Sequence, residues 1–76
     1  MVTAETIAQR VKALLPDAEV RAVDMTGGGD HWQLAVQSSH FNGKSLVQQH
    51  QLIYQALGEL MAGPIHALKL ETKAKG

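Results

Sequence analysis

Ala4, Ile7, Ala8, Val11, Leu14 and Leu15 recur at three- and four-residue intervals, the spacing that gathers apolar side chains on one face of an α-helix. Thr3 offers a hydroxyl to the orphan N–H groups of the first turn, and Glu5 suits the positive end of the helix dipole. Pro16 ends the run, because the residue before a proline is pushed out of the helical region. The period then changes to two. EVRAVDM, residues 19–25, is short, valine-bearing and roughly alternating, and predicts a strand. HWQLAVQS, residues 31–38, alternates strictly. Trp32, Leu34, Val36 and Ser38 share one face, and His31, Gln33, Ala35 and Gln37 share the other. TGGGD lies between the two strands and makes them a hairpin, since its glycines reach positive φ at no steric cost.

SHFNGKS, residues 39–45, predicts a loop. Ser45 with Gln48 three positions on forms the S-x-x-Q capping box, so a helix is expected from Leu46. Leu46, His50, Ile53, Leu57 and Leu60 then share a face, widened by Leu52 and Ala56. Gly58 weakens this helix and Gly63-Pro64 stops it. IHALKLET, residues 65–72, predicts the last strand, with His66, Leu68 and Leu70 pointing one way and Ile65, Ala67 and Lys69 the other. KAKG reads as a frayed basic tail.

The order is α-β-β-α-β. The short link between the first two strands favours an antiparallel hairpin. The helical segment between Ser38 and Ile65 is long enough for a crossover, which lets the third strand pair parallel. The expected fold is α+β: a two-layer sandwich, a three-stranded mixed sheet with both helices on one face, and one domain spanning residues 1–76.

Composition narrows the function. A 76-residue chain buries only about 60% of its unfolded surface. With no cysteine, no disulfide braces that small core and no thiolate serves as nucleophile or metal ligand. Seven basic residues balance seven acidic ones, which argues against a dedicated nucleic-acid binder, because phosphate neutralisation calls for a basic excess. No apolar run approaches the ~20 residues that cross a bilayer. MVTAETIAQR lacks the basic-then-apolar order of a signal peptide, so a reducing, cytoplasmic setting is expected.

The candidate chemistry rests on four histidines. None stands in H-x₃-H or H-E-x-x-H, and no serine is placed beside a base as an activated nucleophile, so no catalytic site is expected. NGKS has only the tail of a phosphate loop. His50, on an apolar helix face, reads as structural, with a ring nitrogen bonded to a neighbour, and His40 reads as a turn residue. His66 follows a Gly-Pro break at the sheet's end, where a side chain is both held and reachable; His31 opens the second strand. Two neutral imidazoles supply half of a four-coordinate metal site, a partner's thiolates the rest. Spacing leaves open whether the two meet.

The segment from His31 to Thr72 resembles the core of the BolA family. The resemblance is carried by Ser38-Ser39, Phe41, Gly43-Lys44-Ser45, His50, Tyr54, Ala56-Leu57 and the I-H-A-L of residues 65–68. It implies a fold like a class II KH domain. It also implies a partner, a monothiol glutaredoxin of the CGFS type, with which a bridging [2Fe–2S] cluster is shared in iron–sulfur trafficking or iron and redox sensing. On that pattern the glutaredoxin cysteine and a glutathione thiolate hold one side of the cluster and His66 the other. Imidazole on one iron raises the potential relative to all-thiolate ligation. The family's second ligand, His or Cys, comes from the loop between the first two strands. TGGGD holds neither, and His31, matching a histidine common just before the aromatic residue of strand two, takes that role, with Asp30 or solvent as the substitute. Docking is expected around Gly63, Pro64, Ile65 and Ala67 and the glycine loop, with Lys69 and the basic tail steering the partner. The family's R-H-R triplet is Gln49-His50-Gln51 here, which removes two phosphate-binding charges. The alternative is a small KH-like nucleic-acid-binding regulator using Lys44 and His50, although NGKS lacks the G-x-x-G backbone clamp. A homodimer without a ligand is a third possibility.

Overall fold

The computed structural model describes residues 2–75. Helix α1 (Ala4–Leu14) starts where the Thr3 hydroxyl accepts the Thr6 N–H at 3.1 Å, and it carries Glu5 in its first turn and Lys12 in its last. Ile7 and Val11 are sealed in the core, joined by Leu15 at the C-cap. Strand β1 (Glu19–Asp24) pairs antiparallel with β2 (His31–Ser38), and β2 pairs parallel with β3 (Ala67–Ala74), in the order β1-β2-β3. A 3-10 turn (Ser39–Phe41) leads from β2 towards helix α2 (Leu46–Leu57), and a second 3-10 segment (Gly58–Ala62) follows α2.

Both helices cover the same face of the sheet: α1 packs on β1 and α2, and α2 on β3. The even positions of β2, Trp32, Leu34, Val36 and Ser38, are buried under them with Ile53, Leu57 and Phe41. The odd positions face away, on an open side that no element among the described residues covers. The mixed three-stranded sheet and two-layer arrangement expected from the hydrophobic pattern are therefore present.

Four local expectations are corrected. Leu46 is 61% exposed, because the first turn of α2 overhangs the layer that buries Ile53 and Leu57. The α-helix ends at Leu57: Gly58 takes a φ of +51°, and the chain continues as a 3-10 segment in which Leu60 is buried. The third strand starts two residues later than predicted, so alternation does not govern its approach. Ile65 is in the core and His66 is exposed. The basic tail is not frayed as far as Lys75: Lys73 and Ala74 belong to β3, and the Lys75 ammonium donates to the Asp17 carbonyl at 2.9 Å, while Gly76 lies outside the described residues.

The capping box at the start of α2 is present in both directions. The Gln48 N–H donates to Ser45 Oγ at 3.2 Å, and the Ser45 N–H donates to Gln48 Oε1 at 3.0 Å. Ser45→Ala removes the hydroxyl half and is expected to lower stability by about 1 kcal/mol, read as a fall in urea midpoint at unchanged slope. Ser45→Asp, which keeps an acceptor, should recover most of it.

Candidate functional site

The candidate site is the rim where β2 and β3 begin. The turn before β2 is fastened by carboxylates. Asp24 accepts the N–H groups of Thr26, Gly27 and Gly29 at 3.2, 2.9 and 2.8 Å, and the Thr26 hydroxyl donates to Asp30 Oδ1 at 3.1 Å. Gly27 and Gly29 hold φ of +81° and +77°, which side-chain-bearing residues rarely adopt. The Trp32 indole N–H closes the turn on the Gly29 carbonyl at 2.9 Å. The loop is thus a built entrance to β2.

Parallel pairing then brings the second histidine alongside. The Asp30 carbonyl accepts both the His66 N–H, at 2.8 Å, and the Ala67 N–H, at 3.2 Å, and His31 stands in register with Ala67. The backbones of the two histidine segments are hydrogen-bonded neighbours, although 35 positions separate them in the chain. His66 is exposed, immediately ahead of β3. His31 is also exposed, on the open face with Ala67, and its Nε2 lies 3.9 Å from Asp30 Oδ2. A shallow groove runs from Met25 and Thr26, past His31 and Trp32, to residues 67–69.

Among the described residues, no three His, Cys, Asp or Glu side chains come together as a metal site. The rim offers two exposed imidazoles, His31 and His66, and the chain has no thiolate. Of the residues expected to dock a partner, Gly63, Pro64, Ala67 and Lys69 are exposed. Ile65 is corrected: it is 2% exposed and its N–H is bonded to the Leu60 carbonyl, so its side chain anchors the segment from inside.

The residues of the alternative reading separate. Lys44 is exposed, whereas His50 is half-buried with Nε2 sealed and without a hydrogen-bond partner among the described residues. That differs from the bonded structural histidine expected, and it turns this nitrogen away from any phosphate.

A polar cluster at the far end of the sheet was missed by sequence reasoning. Asp17 accepts from the Ser38 hydroxyl at 2.6 Å, the Ser39 hydroxyl, and the Ser39 N–H at 2.8 Å, with His40 Nδ1 at 3.1 Å. Ser38 is fully buried, so this serine–histidine–aspartate grouping is a brace between the α1–β1 turn and the end of β2. The only signal was the run of hydroxyl residues Ser38-Ser39 before His40. The Ser38 hydroxyl, then the Ser39 hydroxyl and N–H, hold the Asp17 carboxyl far below the usual carboxylate range. A depressed folded-state pKa stabilises the fold above the unfolded value, near pH 4, and that contribution fades as pH falls toward the folded value. Asp17→Asn is therefore expected to flatten the loss of thermal midpoint below about pH 4 while lowering the midpoint at neutral pH, as followed by circular dichroism.

Comparison with known proteins agrees with this architecture. The BolA-like protein family matches residues 5–76. A solved BolA homologue from Coxiella burnetii superposes with a TM-score of 0.80 at 35% identity, covering 97% of this chain and 92% of that one. The Rickettsia prowazekii protein RP812 is 31% identical over 71 residues, 93% of this chain and 92% of that protein. Mouse BolA-like protein 1 is 47% identical over 47 residues, 62% of this chain, a match that spans 34% of the mouse protein's length. This chain is an α+β domain of the BolA type, and it belongs to the BolA-like family.

Proposed function

We propose that this protein is a non-enzymatic cytoplasmic adaptor that docks on a CGFS monothiol glutaredoxin and shares a bridging [2Fe–2S] cluster as cargo. The observation that carries this reading is the placement of His66. Its backbone is pinned to Asp30 by a 2.8 Å hydrogen bond while its side chain is exposed at the rim. The backbone that carries the imidazole is already fixed, so only the side-chain torsions remain to be ordered when a metal engages it, and no hydrogen bond among the described residues competes for the ring.

The remaining residues divide the work. His31 sits one strand away and serves as the second nitrogen donor, with Asp30 beside it. Gly63 and Pro64 leave a low, side-chain-poor shoulder against which another protein can close. Lys69 adds positive charge at the groove and favours approach of an acidic or glutathione-bearing partner, an effect that salt weakens. A cysteine-free chain leaves thiolate ligation to the partner. Bound imidazole would tune the potential of the shared cluster.

The test is reconstitution. The protein is mixed anaerobically with a CGFS glutaredoxin, glutathione, iron and sulfide, and visible absorption and circular dichroism are recorded. A heterodimer spectrum distinct from that of the glutaredoxin alone supports the reading. An unchanged glutaredoxin spectrum, with no heterodimer on gel filtration, overturns it.

A further inference from the structure

The open face of the sheet has a charge pattern that is its own complement. The pairing registers place Glu19, Gln37 and Lys73 in one row across the three strands. Arg21, Ala35 and Glu71 form the next, and Val23, Gln33 and Lys69 the one after. Each of the first two rows carries opposite charges at its two ends, and the order of signs reverses between them. The middle strand contributes only uncharged side chains, with the small Ala35 at the centre of a trough lined by Glu19, Arg21, Gln37, Glu71 and Lys73. None of the five charged residues on this face has an ion-pair partner among the described residues; the ion pair between permanently charged groups is Arg10–Glu59, and the remaining carboxylate contacts are to the imidazoles of His31 and His40.

We propose that this face binds a second copy of the same chain, sheet to sheet, about a two-fold axis running along β2. Such an axis exchanges the outer strands, so β1 of one copy lies over β3 of the other at the same row. Glu19 then meets the other copy's Lys73, and Arg21 meets its Glu71, each contact occurring twice. Val23 packs on the aliphatic stem of Lys69, and the glutamines stack on their counterparts, each amide being both donor and acceptor. The ~30° angle of aligned sheets requires only a slight tilt of the axis. A uniformly acidic or basic partner would meet repulsion at one end of each of these two rows. A second copy meets none at these four contacts.

The size of the face sets the strength. Three strands about 4.8 Å apart, two of eight residues and β1 of six, at ~3.3 Å per residue give a footprint of roughly 350 Å². That is below the ~800 Å² per partner of stable complexes, so the dimer is weak and forms at high concentration.

Sedimentation equilibrium from micromolar into the millimolar range tests this at low and high salt. The wild-type chain is expected to dimerise reversibly, less so in high salt. Arg21→Glu and Glu71→Arg, both at exposed positions, should each weaken self-association by about tenfold or more, because two attractive contacts become repulsive. An equimolar mixture of the two variants should associate more strongly than either alone, since every altered contact is again between opposite charges. Circular dichroism confirms that both remain folded. A wild type that stays monomeric throughout, a dimer indifferent to both substitutions, or a mixture no tighter than its components would each overturn the proposal. The glutaredoxin reading rests on His66, His31 and Lys69, and the substituted residues Arg21 and Glu71 take no part in it, so the two readings fail separately.

Discussion

His66→Ala is expected to abolish the mixed-complex spectrum with the glutaredoxin while leaving the chain fully folded. The His66 side chain makes no hydrogen bond among the described residues and is exposed, and its structural contribution is the backbone N–H given to Asp30, which alanine retains. Exposed substitutions of this kind stay within about 0.5 kcal/mol of the parent. Loss of signal therefore reports lost ligation. His31→Ala is expected to have the smaller effect, a less stable complex with a shifted spectrum, because Asp30 and water remain beside the vacated position. Gel filtration separates ligation from docking, since His66→Ala should still bind the apo-glutaredoxin. A His66→Ala spectrum indistinguishable from wild type would remove the basis of the functional reading.

Phe41→Ala carries the largest expected effect on folding. Phe41 is 0% exposed, delivered into the core by the 3-10 turn that follows β2. Truncating a buried phenylalanine costs about 3–5 kcal/mol. A 76-residue domain has a total of about 4–11 kcal/mol, and this one has no disulfide in reserve. The variant should be partly unfolded at room temperature without denaturant. Trp32, 3% exposed, supplies the fluorescence probe for a urea titration. A midpoint equal to wild type would show that the contact carries no such weight.

Much of the architecture was legible because it follows from local pattern. The strict alternation from His31 to Ser38 specified which side chains of β2 are buried, and Ser45 with Gln48 marked the start of α2. Misreadings fall at the ends of elements, where packing against the rest of the molecule overrides period. Leu46 belongs to the apolar face of α2 by spacing yet overhangs the core, and Ile65 breaks alternation because it is held inward by its bond to Leu60. His50 lay on the apolar face as predicted, but its unbonded Nε2 is a property of the packed state.

The site divides the same way. The sequence by itself determined that the chain has imidazoles and no thiols, that His66 follows a Gly-Pro break, and that His31 follows a glycine turn, because these are facts of composition and local stereochemistry. Only the tertiary structure decided that the two histidine segments lie side by side, that Asp17 ties Ser38, Ser39 and His40 into one brace, and that the open face carries alternating charges. The physical reason is pairing. A parallel crossover sets β3 against β2 in a register determined by burying Leu68 and Leu70 with Trp32 and Leu34, and every relation across that register comes from three-dimensional packing rather than from neighbouring positions in the chain.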